Sequence, residues 1–296
     1  MRRPAVAGIF YPAERDALID AIDECFRHPL GPLGGGGSGS SGSGSGRVRP
    51  DGAGGEGKAI MPIAMVSPHA AYMYSGAVAA HSYHAASSLK PDLIIMLGPN
   101  HYGLGSAVAT MVDCQWETPL GGVPVNSDEA RRLVRLSGIL DIDDYAHSRD
   151  HCLEVQIPML QYIYRHRFSI LPIVLWMQDR DTASDLGSAI AELIESSGMS
   201  TLLIASSDLT HYEPNEEAYR KDGELIKAIL ELDVSRYYTV LERLDVSACG
   251  YGAIGAVMVA AKRLGASSAS LLKYATSGDV TGDKGSVVGY ASIVFS

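Results

Sequence analysis

Only four cysteines occur in the 296 residues, at positions 25, 114, 152 and 249, and none forms a C-x-x-C pair. Scattered thiols in a chain of this length do not make a disulfide framework, so a reducing compartment is expected. Basic charge is also short: 24 Lys and Arg against 34 Asp and Glu leave a formal net charge of -10. An acidic surface lacks the footprint that non-specific nucleic-acid binding needs, and it is repelled by anionic membranes. No run approaches the roughly 18 apolar residues of a membrane span. The apolar run after Met1-Arg2-Arg3 is too short for a signal peptide. The expectation is a soluble cytoplasmic protein with neither nucleic-acid nor membrane partners. Two catalytic signatures are missing as well. There is no Gly-x-Ser-x-Gly elbow, which speaks against a serine hydrolase. The glycines of 278–285 surround Lys284 but not in the order G-x-x-x-x-G-K-[ST], so a tight turn before the last strand is expected there.

What is present is ordinary globular material, with 46% hydrophobic and 20% charged residues. Its length suffices for a full core. One segment breaks the pattern: residues 31–57 are dominated by Gly and Ser, and 34–46 hold nothing else. Such a tract cannot bury enough surface to order itself, and a flexible insertion is expected. The segment before it is too short to fold alone, and its amphipathic helix, 13–26 with Leu18, Ile19, Ile22 and Phe26 on one face, must dock on the body that follows. A single domain over 1–296 is therefore expected.

Beyond Lys58, apolar runs alternate with helical patterns. Strands are expected at 60–66, 92–97, 169–175, 201–205, 269–274 and 286–294. Helices are expected at 75–88, 127–136, 182–196, 214–230 and 251–264, with 234–244 following the fourth of these. Asp128 and Glu129 suit the first turn of their helix, where the dipole favours anions. This alternation predicts an α/β fold, a mixed, largely parallel sheet covered by helices on both faces.

Three of these strands end in polar loops that carry a histidine: Ser67-Pro68-His69, Pro99-Asn100-His101 and Ser207-Asp208-Leu209-Thr210-His211. Ligand sites of open α/β sheets form beyond the carboxyl ends of the strands. One loop histidine there is commonly incidental; three at equivalent places suggest a site. Cys249 precedes Gly250-Tyr251-Gly252, where a helix begins, and a helix N-terminus favours the thiolate that binds metals. A small buried thiol is the plain alternative. Cys152 adjoins His151 and is a secondary candidate. His151 and Glu154 would share a face if their turn is helical, as acid/base partners, outer ligands or a helix-start salt link. Asp208 could equally cap a helix. His81 and His84, at i and i+3, have a spacing common by chance. Arg131, Arg132 and Arg135 form the one dense arginine cluster on a predicted helix, and a solvated face accounts for them.

Together these motifs resemble the Memo family nearly end to end. The resemblance is carried by Arg3 to Pro12, Pro68-His69-Ala70-Ala71-Tyr72-Met73-Tyr74-Ser75-Gly76, Leu97 to His101, Asp150 to Pro158, Ser206 to His211, Thr276 to Asp279 and Val288 to Ser292. Ala71 stands where the family usually has Gly, and Cys152 where it usually has Ser. The Gly/Ser insertion lies outside the match. The resemblance implies a three-layer α/β/α sandwich like that of the LigB-type extradiol dioxygenases. It implies metal ligation by His69, His101 and Cys249, with iron, or alternatively copper or zinc, as the cofactor. Asp208, His211 and His151 would be the catalytic groups of the same pocket, and Glu154, Tyr72 and Asn100 are assigned to the substrate side. The dioxygenases use two histidines and one carboxylate, whereas a thiolate is softer and oxidisable, so ring cleavage does not transfer directly. Three functions follow: a redox enzyme of dioxygenase type acting on an unknown small molecule, a peptide- or phosphopeptide-binding module, or a zinc hydrolase. The resemblance also implies an association with radical-SAM and AMMECR-type proteins.

Overall fold

A computed structural model describes residues 1–34 and 61–296. Residues 35–57 of the expected insertion, and Ile60 of the first expected strand, lie outside the described residues. Residues 31–34 form a turn in which Gly31 N–H and Leu33 N–H donate to His28 O and Phe26 O at 2.7 and 3.0 Å.

The elements run α1 (Arg15–Arg27), β1 (Ala64–Ser67), a π-helical turn (Tyr72–Gly76) leading into α2 (Ala77–Ala86), β2 (Leu93–Pro99), β3 (Val108–Thr110), β4 (Gln115–Thr118), β5 (Gly121–Pro124), α3 (Ser127–Leu136), β6 (Asp141–Ile142), α4 (Gln156–Ile163) and β7 (Ser169–Leu175). They continue with α5 (Arg180–Ser197), β8 (Thr201–Ser206), β9 (His211–Glu213), α6 (Asn215–Leu230), α7 (Val234–Leu244), α8 (Tyr251–Arg263), β10 (Ala269–Thr276), α9 (Ser277–Thr281) and β11 (Val287–Phe295). The principal sheet has the order β10-β11-β1-β8-β2-β7-β3-β6, and β9 pairs with β11. Its centre, β1-β8-β2-β7, is parallel, while β11 and β3 flank that block antiparallel.

The parallel strands are near-continuous apolar runs because both of their faces are covered. Leu93, Ile95 and Leu97 pack under the layer of α3, α5, α6, α7 and α8. Ile94 and Met96 face the opposite layer of α1, α2 and α4. The architecture is thus a three-layer α/β/α sandwich. The parallel strands end at a common level: Ser67 is in register with Ser206, and Pro99 with Leu175. The loops that follow therefore emerge side by side.

Two local expectations change. The segment 278–285 is not a simple turn: Thr276 and Asp279 form a capping box for the short α9, and Gly282 ends it at φ 84°. Residues 151–155 form an irregular turn before α4, so His151 and Glu154 do not share a helical face. Among the described residues no helix is long and apolar enough to cross a membrane.

Candidate metal centre

Each of three neighbouring strand ends delivers one part of the site. β1 runs into His69, β2 into His101, and β8 into Ser207-Asp208. The turn before α4 adds Asp150 and His151, and the segment before α8 adds Cys249. His69, His101 and His151 each offer one ring nitrogen, and these atoms all lie within 4.8 Å of one another. Cys249 Sγ is 3.1 Å from His69 Nε2. The imidazoles of His101 and His151 stack, with centroids 4.8 Å apart and planes inclined by 9°, and His69 stands edge-on to both.

The hydrogen bonds behind His69 fix its tautomer. Gln156 Nε2 lies 3.0 Å from Pro68 O, which can only accept, so that end of the amide is the donor. Gln156 Nε2 also donates to Ser206 Oγ at 2.8 Å, and Tyr83 donates to Gln156 Oε1. Ser206 spends its single proton on Cys152 O at 2.6 Å. Its oxygen can therefore only accept from His69 Nδ1, 3.0 Å away. The proton of His69 sits on Nδ1, and the Nε2 lone pair faces the Cys249 sulfur. His101 follows the same logic: its Nδ1 is 3.1 Å from Asp150 Oδ1. Burial works to raise Asp150, but the hydrogen bonds from the His101 ring and from the amides of Cys152 and His101 outweigh it and hold the carboxyl well below its usual range. Asp150 is thus an acceptor, Nδ1 carries the hydrogen, and Nε2 is the free nitrogen. His211 is the third instance, with Nδ1 2.9 Å from Ser247 O, again an obligate acceptor.

Burial, followed by repulsion from His101, lowers the His69 pKa far below normal. Burial and the other two imidazoles lower His151 to about 4. At neutral pH both rings are uncharged and present lone pairs. Burial, then the neighbouring Asp208, pushes the Cys249 thiol up. Asp208 is itself raised by burial, which the hydrogen bond from the His69 amide opposes. Its Oδ1 accepts from His69 N–H at 2.8 Å, and its own N–H points at Cys249 Sγ at 3.3 Å. Asp208 therefore clamps the two loops together rather than capping a helix. Gly250 permits the close approach: a Cβ there would lie 2.6 Å from Ser206 O. Next to His211, Tyr212 holds a left-handed φ of 59°, an uncommon conformation for a bulky residue at the edge of a site.

These groups open into a cleft of about 980 Å³ lined by His69, His101, His151, Asp208, His211 and Cys249. The structure thus gathers six of the nine residues singled out in the sequence. The other three lie outside its lining. Glu154 is buried and accepts from Arg2, Ala5 N–H, Val6 N–H and Tyr11. Tyr72 is buried and donates to Val155 O at 2.7 Å. Asn100 is buried, with Nδ2 on Leu104 O at 2.7 Å. Glu154 and Asn100 brace the loops, while Tyr72 lines an adjoining cavity rather than this cleft. Conversely, Ser206, Gln156 and Asp150 were not singled out, although they orient the imidazoles. Asp150 had a signal, since it directly precedes His151; Gln156, a turn later on α4, had none.

A family profile described as Memo-like protein matches residues 2–294. A MEMO1 family protein of Nitrosopumilus maritimus is 48% identical over 295 residues, covering 100% of this chain and 99% of the relative. One of Methanopyrus kandleri is 47% identical, covering 99% and 98%. The solved structure of an uncharacterized protein from Escherichia coli K12 superimposes with a TM-score of 0.51 at 15% identity, over 79% of this chain and 100% of that one. At that identity the likeness bears on the fold alone. Matched end to end by the profile and by relatives nearly half identical to it, the chain belongs to the Memo-like protein family.

Proposed function

We propose that the cleft is the centre of a metal-dependent redox enzyme, with iron or copper held by His69, His101 and Cys249. The observation that carries this reading is the pair of fixed tautomers. Two imidazoles have their Nδ1 hydrogens committed to Ser206 and Asp150, leaving both Nε2 lone pairs free. Ligand histidines are oriented in this way by outer-shell acceptors. A thiol touching one of those nitrogens completes a mixed N/S donor set that suits a transition metal and not magnesium or calcium. The metal would supply one-electron chemistry and Lewis acidity toward a bound substrate.

The surrounding residues supply the rest. His151, uncharged and stacked on His101, is a group in this cleft able to take a proton. His211, held through Nδ1, lines the same cleft with its Nε2 uncommitted to Ser247. Asp208 keeps the His69 and Cys249 loops at a fixed separation. Among the described residues the cleft lining contains no Lys or Arg, and phosphopeptide recognition relies on such cations, so the enzyme reading is preferred over the binding module.

The test is elemental analysis of protein purified without oxygen or added metal, beside His69→Ala and Cys249→Ser. Iron or copper near one per chain that falls in both folded variants is the expected result. Metal content unchanged in the variants would remove the ligand assignment, and zinc in place of a redox metal would turn the reading toward hydrolysis.

A further inference from the structure

A second cavity, of about 430 Å³, adjoins the metal cleft between α1 and the π-helical turn. The two share one wall, made of Ile9, Phe10, Met73 and Tyr74. Phe10 stands in that wall with its ring centroid 4.4 Å from that of His151. Ile9 and Met73 are 73% and 69% exposed, so this wall is an apolar lip facing solvent. Large apolar side chains at the mouth of a cleft are a recognised mark of a binding surface.

The interior of the second cavity is less polar than its composition suggests. Tyr11 and Tyr72 line it, but their hydroxyls are committed elsewhere, to Glu154 Oε1 at 2.8 Å and Val155 O at 2.7 Å. Burial keeps the Cys25 thiol neutral, pushed up to about 12. Ala21, Ala77 and Val280 add only hydrocarbon. Among the described residues, Glu24 and His28 are the charged or titratable side chains of the lining besides the tyrosines and Cys25, and none is a Lys or Arg to receive an anion. Both volumes fall in the range of small-molecule sites.

From this arrangement we infer that the enzyme's substrate is amphipathic: a small oxygen-bearing head at the metal cleft, and an uncharged aliphatic or aromatic body that crosses the Ile9–Met73 lip into the side pocket. The inference rests on the metal reading for the head alone, and the body's pocket stands on the cavity itself.

Two titrations separate these parts. The first follows n-octanol binding to metal-stripped protein by saturation-transfer NMR, which tests the side pocket without any metal. The second measures straight-chain hydroxamic acids from two to ten carbons against metal-loaded protein by calorimetry. Octanol should bind, and hydroxamate affinity should climb about fourfold per methylene before flattening as the pocket fills. Ala21→Trp, which fills the pocket from α1, should abolish octanol binding and the chain-length dependence while leaving acetohydroxamate unchanged. Val280→Trp, filling it from α9, serves the same purpose if the first variant does not fold. Absence of octanol binding, a flat hydroxamate series, or a slope that survives both folded variants would overturn the side pocket. Octanol binding by metal-loaded protein that ignores acetohydroxamate would keep the pocket and overturn the metal reading instead.

Discussion

Arg2 and Glu154 meet inside the protein, Nη1 to Oε2 at 2.8 Å, with side-chain exposures of 4% and 1%. The same guanidinium donates to His147 O at 2.9 Å and Asp150 O at 2.5 Å and covers the Trp116 ring at 3.9 Å. Glu154 in turn receives the amides of Ala5 and Val6 and the hydroxyl of Tyr11. This one pair fastens the N-terminal segment to the turn that bears Asp150 and His151.

Removing either partner leaves a buried charge without its counterpart. Glu154→Ala and Arg2→Ala are each expected to cost about 3–5 kcal/mol of stability, measured by urea unfolding. The double variant should cost less than the sum of the two, because neither charge is then stranded. Losses below about 1 kcal/mol in both single variants would contradict this role.

The same pair shows where sequence reasoning stopped. The apolar strands and amphipathic helices were legible because their periodicity is local: 127–136 and 169–175 coincide with α3 and β7. The strand-end histidines were legible because apolar runs give way abruptly to polar loops. The three-residue spacing of His151 and Glu154 suggests acid/base partners, outer ligands or a helix-start salt link; the actual partner, Arg2, is 152 positions away, and no local pattern announces such a contact. The short strands β3 to β6 and β9 were missed because two to four residues carry too little periodicity. The helix α4 was missed because Pro158 falls in it; proline is tolerated there since the first turn has no acceptor for its missing N–H.

Ser206 is the pivot of the His69 tautomer. Ser206→Ala strands His69 Nδ1–H, Cys152 O and one Gln156 hydrogen together. Metal affinity should fall by about 10- to 100-fold, the usual effect of losing an outer-shell partner, although no ligand is altered. Competition with a chromogenic chelator measures it. An affinity equal to that of wild type would mean that Ser206 does not orient the ring.

Gly250 tests the approach of the Cys249 loop independently. An added Cβ would lie 2.6 Å from Ser206 O and 2.8 Å from Ser207 Cβ, both short of normal contact. Gly250→Ala should therefore displace Cys249 from His69, weakening metal uptake and costing about 1–3 kcal/mol of stability. Thiol-directed alkylation of Cys249 in metal-free protein should speed up at the same time, since the sulfur moves out of its contacts with Asp208 N–H and His69. Unchanged uptake and alkylation in a stable variant would show that the loop has room to spare.

His147 supplies a pH dependence that is separate from metal binding. It is fully buried, its Nε2 donates to Ala109 O at 3.1 Å, and its Nδ1 has no hydrogen-bond partner among the described residues. Burial, reinforced by the adjacent Arg2 charge, lowers its pKa from 6.5 to about 3. Between those values the unfolded chain binds a proton that the folded chain does not, so stability rises with pH through this window. The stabilising contribution is complete above pH 6.5 and is lost as pH falls toward 3. In metal-stripped protein His69 and His151 act in the same direction, so the comparison must be with a variant. Between about pH 6 and pH 5, His147→Gln should lose less stability than wild type does, by an amount approaching 1.4 kcal/mol per pH unit, one proton's worth. Urea unfolding at the two pH values measures the difference. Parallel losses in the two proteins would show that His147 takes up its proton without unfolding, and that the buried cation finds a partner within the fold.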